Sequence, residues 1–289
     1  MDRERRRNQR TQQALAAVVA EARTHGLGVD EPVVLNDLFS LMVHLRPAPV
    51  VARVATCMPR LRSPIEDWLA REIDVTTYLM EQGAPVAGPS RELPPGPHAR
   101  DGFTFSFWTY FEPDPERTTT AADSAAMLAE LHAVLRSYPG DLPKLAVDDI
   151  ARGLELLDQT DGVVSEAERE LLRATAAELR PFLDAPGGAV QPLHGDAHPG
   201  NLIATREGLV WIDFEDVCLG PVEWDLASMM DAGVIENDRW ADPDVLAQCT
   251  RLRALQVALV LIAFHDDFGD RPGWNPAIRH LLDLLARDS

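Results

Sequence analysis

Leu193-His194-Gly195-Asp196-Ala197-His198-Pro199-Gly200-Asn201-Leu202-Ile203, with Trp211-Ile212-Asp213-Phe214-Glu215 starting ten residues after Asn201, is the densest polar motif in this 289-residue chain. An acid, an amide and a second acid stand around a tight hairpin, each beside apolar residues of β character. Phosphoryl transfer uses such a set. One carboxylate accepts the proton of an attacking hydroxyl, while an amide oxygen and another carboxylate hold Mg²⁺ on a triphosphate. Mg²⁺ takes hard oxygen ligands and keeps several waters, so one Asn and one Asp suffice beside phosphate oxygens. A base and a first metal ligand must lie only a few residues apart for hydroxyl and phosphate to meet in line, and Asp196 and Asn201 have that spacing. Two other readings compete. His194 and His198 are four apart, as zinc ligands on a helix face are, but Pro199-Gly200 stops a helix there, and zinc needs a further cluster of His or Cys. An Asp before a turn is commonly only a turn or cap residue; the ordered set around Asp196 argues against that.

The segment resembles the catalytic loop of the aminoglycoside phosphotransferase and choline kinase-like family, whose pattern is H-G-D-x-x-x-x-N followed by a strand and I-D-[FW]-[ED]. The resemblance implies an α+β, two-lobed protein-kinase-like fold with a β-rich N-lobe and a mainly helical C-lobe. It also implies ATP as phosphoryl donor, with GTP as the alternative, and Mg²⁺ as the metal. By the same resemblance Asp196 is the catalytic base, Asn201 and Asp213 are the metal ligands, and His194 and Gly195 shape the loop. Pro221-Val222-Glu223-Trp224-Asp225-Leu226-Ala227 matches the family's P-x-x-x-D-L-A stretch, with Asp225 bracing the loop, and Leu128-Ala129-Glu130-Leu131-His132 fits its L-x-x-L-H element. The match covers roughly residues 125–230.

Upstream, Val50-Val51-Ala52-Arg53-Val54 reads as a strand. Kinase-like folds place a phosphate-holding cation on the third strand, fixed by a helix glutamate. Here that cation is Arg53 in place of the usual lysine, because Lys144, the only lysine, lies far downstream. Arginine also reaches phosphate, through a planar, permanently charged fork. Glu72 is its expected partner and Glu66 the alternative. No G-x-G-x-x-G is present, and the turn near Asn36-Asp37 takes that place. Trp108-Thr109-Tyr110-Phe111 is the expected hinge, with Thr109 C=O and Phe111 N–H toward the adenine edge. The expected division is a nucleotide-binding lobe at 1–108, a hinge at 109–115 and a helical catalytic and substrate-binding lobe at 116–289.

Periodicity predicts helices over 3–25, 65–81, 121–137, 150–157, 165–183, 221–230, 245–264 and 276–286. Strands are expected at 33–35, 39–45, 50–54 and 103–111, and in short pieces around 192–193, 202–203 and 209–212. The longest apolar run, Leu252 to Phe264, is interrupted by Arg253 and Gln256. It falls short of the ~18–20 residues a membrane span needs. The basic start, Met1 to Arg7, has no apolar stretch beside it and does not read as a secretory signal. With three scattered cysteines, Cys57, Cys218 and Cys249, this makes a cytoplasmic protein with reduced thiols the expectation.

Net charge is −19, which disfavours nucleic acid and anionic lipid and suits a cationic acceptor. Glu215 and Asp216 are the first candidate acceptor contacts, then Glu223, Asp231 and the cluster Asp266-Asp267-Asp270. The family's acceptors, which include aminoglycosides, other antibiotics, choline, homoserine and sugars, point to a hydroxylated small molecule. By the same resemblance the acceptor is expected to be an antibiotic such as an aminoglycoside, with antibiotic resistance or self-protection as the role. A pseudokinase that binds nucleotide without turnover and a metal-dependent hydrolase built on His194, Asp196 and His198 are the alternatives. The oligomeric state is not readable.

Overall fold

A computed structural model describes residues 2–231 and 241–287. The chain divides into two compact units, one of residues 1–120 with 200–215, the other of residues 121–199 with 216–289.

The first unit is built on an antiparallel sheet of β1 (Glu31–Asp37), β2 (Leu41–Arg46), β3 (Val50–Val54), β4 (His98–Arg100) and β5 (Phe103–Thr109), in the order β1-β2-β3-β5-β4. β3 is central and buried along its whole length. Successive strand residues face opposite sides, and β3 shows the consequence. Val50, Ala52 and Val54 join Leu41, Val43, Leu45, Phe105 and Phe107 in a core covered by Ala14, Val18 and Ala22 of α1 (Asp2–Thr24). Val51 and Arg53 face the other side, where Val51 meets Trp108 and Ile73 of α2 (Ile65–Glu81). The phase of β3 thus puts one arginine on the face opposite α1. The buried stripe of α1 centres on Ala14, Val18 and Ala22, with Leu15 and Val19 only partly covered.

The loop rich in Pro and Gly after α2 runs beside β5, where Ser90 N–H donates to Phe107 O (2.9 Å) and Thr109 N–H to Gly88 O (3.0 Å). A hairpin of β7 (Leu202–Ala204) and β8 (Leu209–Trp211) completes this unit. Ala87 N–H donates to Trp211 O (2.8 Å) and Trp211 N–H to Pro85 O (2.9 Å), which anchors the hairpin to the segment leaving α2.

The second unit contains α3 (Ala121–Leu135), α4 (Val147–Leu157), α5 (Glu166–Asp184), α6 (Glu223–Asp231), α7 (Pro243–Ala263), α8 (His265–Phe268) and α9 (Trp274–Arg287). A two-stranded ladder of β6 (Val190–Leu193) and β9 (Cys218–Pro221) joins them. α5 starts at a capping box in which Ser165 and Glu168 satisfy each other's end groups. β4, β9 and α8 are three or four residues long and carry no apolar run that marks them in the sequence. Pro221, expected to open a helix, instead pairs with Val190 at the end of β9, and α6 begins at Glu223.

α7 is longer than the apolar run suggests. Its 21 residues meet the length and hydropathy of a membrane span. It is nevertheless the helix against which α4, α5, α6 and α9 pack, and Leu252, Leu255, Leu259 and Ile262 are buried there. Its two polar interruptions find partners inside the unit: Gln256 Nε2 donates to Asp149 Oδ2 (3.0 Å), and Arg253 is bound as described below. The three cysteines are buried and unbridged.

Candidate active site

The first unit gathers Arg53, Glu72, Asp213 and Glu215 at one point. Arg53 Nη1 donates to Glu72 Oε1 (2.9 Å) and Asp213 Oδ1 (2.7 Å), and Nη2 lies 2.5 Å from Glu215 Oε2. Arg53 is 4% exposed and Glu72 2%, so these are charges removed from water that must be paired to be tolerated. Burial works against the Arg53 charge, but Asp213, Glu215 and Glu72 outweigh it and hold the guanidinium well above its usual range. Burial acts most strongly on Glu72. With the like charges of Asp213 and Glu215 it pushes this carboxyl up to about 8, although the Arg53 charge opposes it. Three acids crowd one guanidinium here. Glu66, the other partner considered for Arg53, accepts instead from Thr104 Oγ1 (3.1 Å) at the surface. Lys144 lies in the second unit, where its Nζ donates to Asp184 O (3.3 Å).

Arg53, Glu72 and Asp213 form part of the wall of a cavity of about 370 Å³, within the size range of small-molecule sites. Leu35, Met42, Val51, Trp108, Ile203 and Ile212 supply its apolar lining, and Arg53, Glu72, Asn201 and Asp213 its polar lining. Thr109, Tyr110 and Phe111 also line it. Tyr110 N–H donates to Pro49 O (2.9 Å), and its ring stacks on His44 at 3.6 Å. Thr109 N–H points to Gly88, away from β3. Its C=O follows, since both groups of a strand residue leave on the same side. The Phe111 N–H has no backbone acceptor among the described residues.

Asn201 and Asp213 line the same cavity. Ile212 N–H donates to Asn201 O (3.0 Å), which holds the two chain segments side by side. Asp213 adopts φ +67°, a left-handed conformation that costs a residue with a Cβ roughly 1–3 kcal/mol and persists only where surroundings enforce it. An amide oxygen and a carboxylate, both hard donors at the wall of this cavity, fit Mg²⁺.

The second unit holds the loop His194-Gly195-Asp196, braced by Asp225. Asp225 Oδ2 accepts from His194 N–H (3.0 Å) and pairs with His132 Nε2 (2.8 Å), and Oδ1 accepts from Gly195 N–H (2.8 Å). Burial raises the Asp225 carboxyl, but the His132 contact, the His194 charge and the Gly195 amide together pull it below its usual range. His132 comes from α3, where Leu128 and Leu131 are buried beside it. Position 195 demands glycine twice over: φ is +88°, and a Cβ would lie 1.8 Å from Asp216 O. His194 Nδ1 accepts the Asp196 amide (3.3 Å), so that nitrogen holds the turn and is not free to ligate a metal.

Asp196 is gripped from two sides. His198 Nε2 lies 3.4 Å from Oδ2, and Arg253 Nη1 donates to Oδ1 (3.1 Å). Burial would raise the Asp196 carboxyl, but the His198 hydrogen bond and the charges of Arg253, His198 and His194 prevail and hold it well below the usual carboxylate range. Arg253 also donates through Nη2 to Gly195 O (2.6 Å) and lies over the Trp224 ring at 4.2 Å, while Trp224 Nε1 donates to the same carbonyl (2.8 Å).

Arg253 joins the candidate site through Asp196 and Gly195, although in the sequence it stands out only as a break in an apolar run. The usable signal was physical: an arginine inside a helix that is otherwise buried needs an anionic partner. Arg253→Met should let the Asp196 carboxyl rise. The sign follows from the depressed native value, which keeps Asp196 ionised into acid; with one cause of the depression removed, protonation sets in at higher pH. The expected result is a pH profile of kcat/KM whose acid limb moves to higher pH, measured against the parent protein from neutral pH down to the lowest pH at which both remain folded.

Glu215, expected near an acceptor, is instead engaged by Arg53 and by Arg62 (3.4 Å), whose guanidinium stacks on Trp68 at 4.2 Å. Glu223 Oε1 accepts the Asp242 amide (3.0 Å) at the start of α7. Asp216 supplies the backbone carbonyl that excludes a side chain at Gly195. Asp266 and Asp267 lie on α8, followed by Asp270. The side chain of Asp231 lies outside the described residues.

The family model described as "phosphotransferase enzyme family" matches residues 42–258. The chain belongs to this family. As a member it is a small-molecule kinase of mixed α and β build, with the protein-kinase-like fold. Amicoumacin kinase hAmiN, solved with AMP-PNP, Ca²⁺ and Ami, superposes at TM-score 0.67 with 15% identity over 94% of this chain and 93% of that one. Choline kinase LicA from Streptococcus pneumoniae gives 0.66 with 15% identity over 94% and 99%. APH(2")-IIia, solved with GDP and kanamycin, gives 0.63 with 18% identity over 94% and 97%. No curated protein matches the chain significantly in sequence.

Proposed function

We propose that this phosphotransferase moves the γ-phosphoryl group of ATP to a hydroxyl of a small, amine-bearing molecule, with Asp196 as catalytic base. The observation that carries the reading is the arginine–glutamate–aspartate assembly of Arg53, Glu72 and Asp213 in the wall of a nucleotide-sized cavity. Thr109 C=O and Phe111 N–H take the adenine edge. Arg53 steadies the phosphates and Glu72 steadies Arg53. Asn201 and Asp213 hold Mg²⁺, which when bound neutralises charge on the phosphate oxygens.

Asp196 accepts a hydrogen bond from the acceptor hydroxyl. As the O–H bond breaks its proton passes to Asp196, the hydroxyl oxygen bonds to the γ-phosphorus, and the bond to the β-phosphate oxygen breaks to release ADP. A carboxylate held so far below its usual range is a weak base. Its contribution is therefore to aim the nucleophile and take up the proton as the phosphoryl moves, which places most of the catalysis in positioning and electrostatics.

An amine-bearing acceptor is supported by the net charge of −19 and by structural relatives named for choline, aminopropanol and an aminoglycoside. Aminoglycosides are the first acceptors to test, with antibiotic inactivation as the role. The test is ADP release from ATP–Mg²⁺ across a panel of hydroxylated amines, sugars and antibiotics. Acceptor-dependent ADP release with a phosphorylated product is expected. Arginine at position 53 favours one second reading, a nucleotide binder without turnover. Nucleotide binding with no ADP release from any acceptor would establish that reading in place of the kinase.

A further inference from the structure

The first unit carries a second cluster of ligating groups outside the cavity. Glu21 lies in the last turn of α1, and His25 follows four residues later, just past the end of the helix. His98 and Arg100 lie two apart on β4, hence on one face of the strand. α1 packs against β4, and the four side chains meet. His25 Nε2 is 3.1 Å and His98 Nδ1 3.6 Å from Glu21 Oε1, while Arg100 Nε donates to Glu21 Oε2 (2.7 Å). The two histidine nitrogens and the carboxylate oxygen all lie within 4.8 Å of one another.

From these contacts we infer that Glu21, His25 and His98 form a binding site for a transition-metal dication of the zinc class. Bonds of about 2.0–2.1 Å around a tetrahedral zinc place ligand atoms about 3.3–3.4 Å apart. The two distances to Glu21 Oε1 bracket that edge length. The tautomer of His98 is also the one a ligand needs. Its Nε2 faces Pro94 O at 2.8 Å, and because a carbonyl only accepts, Nε2 carries the proton and Nδ1 is left facing a carboxylate oxygen. Two acceptors do not face each other without a positive charge between them, whether a proton or a metal. A ring N–H bonded to a backbone carbonyl is the usual support of a metal-bound histidine. Arg100 plays the matching part for Glu21: its Nε holds Oε2 (2.7 Å) and leaves Oε1 toward the two histidines. The C-terminal end of α1 adds a partial negative charge that favours a cation. Two nitrogens and one oxygen suit zinc and its neighbours better than Mg²⁺ or Ca²⁺.

The test uses the full chain, treated with chelator and then titrated with Zn²⁺ by calorimetry and with Co²⁺ by visible absorption. The parent protein should bind one Zn²⁺ more than His25→Asn does, or bind it about tenfold or more tightly, and give a tetrahedral Co²⁺ spectrum that the variant lacks. His98→Gln should behave like His25→Asn. His25 is partly exposed, so His25→Asn keeps the fold, which unfolding curves without metal check; this variant decides the matter if His98→Gln is unstable. Superimposable Zn²⁺ isotherms for parent and His25→Asn would overturn the inference, as would absence of Zn²⁺ binding. None of these readouts depends on phosphoryl transfer.

Discussion

Asp196→Ala is expected to lower turnover by about 10²–10⁴-fold, the usual contribution of a positioned general base, and to leave ATP–Mg²⁺ affinity nearly unchanged. The residues assigned to the nucleotide belong to the first unit and Asp196 to the second, so the two losses should separate. Arg253 loses one acceptor in this variant but keeps Gly195 O and the Trp224 face, so the fold should survive. Asp196→Asn preserves the shape of the side chain and removes its capacity to take a proton. A fall in turnover equal to that of Asp196→Ala would mark proton acceptance as essential, whereas a much smaller fall would assign the residue to aiming alone. The readouts are steady-state ADP release and nucleotide titration calorimetry on each protein. Near-parental turnover by Asp196→Ala removes Asp196 as the base.

Arg53→Met is expected to cost about 3–5 kcal/mol of stability, the typical penalty for removing one partner of a buried ion pair, and to abolish measurable nucleotide binding. The variant leaves Glu72, Asp213 and Glu215 without the guanidinium that neutralises them. It should also change the pH dependence of stability. Glu72 already sits at about 8, raised from 4.5, and loss of the Arg53 charge raises it further. A group raised on folding contributes stability below its unfolded value and loses it as pH rises through the folded one. The penalty of Arg53→Met should therefore be larger at pH 8–9 than at pH 5–6, as denaturant unfolding at both ends will measure. Arg53→Lys keeps a charge that reaches phosphate but not a fork that spans three carboxylates. It should bind nucleotide while unfolding at lower denaturant than the parent. Unchanged stability and nucleotide affinity in Arg53→Met would show that position 53 is a passive strand residue.

The helices over 65–81 and 165–183 were legible because each combines a sustained apolar stripe with a strong end signal, Gly83 after one and Ser165 before the other. β4, β9 and α8 were not, because none carries an apolar run such as Leu209-Val210-Trp211 of β8, and the two strands are fixed by the partners they pair with. The site divides in the same way. His194-Gly195-Asp196, Asn201 and Asp213 stand out because loop geometry dictates residue type over a span of about twenty positions. The glycine at 195 is one example, required by backbone angle and by the approach of Asp216 O.

Arg253 and the grouping at Arg53 belong to the other class. Arg253 reaches Asp196 across 57 positions and Arg53 reaches Asp213 across 160. No local pattern encodes pairings of that range. From sequence alone came the order of chemical groups along residues 194–213 and the strand and helix that carry Arg53 and Glu72. Tertiary structure alone decided that Glu215 meets Arg53 and Arg62, that an arginine from an apolar helix grips Asp196, and that two histidines meet Glu21. The reason is that periodicity sets which way a side chain points from its own element, while its partner is set by which elements pack together. Burial then makes that partner obligatory, because a charge withdrawn from water must be matched wherever in the chain the match is found.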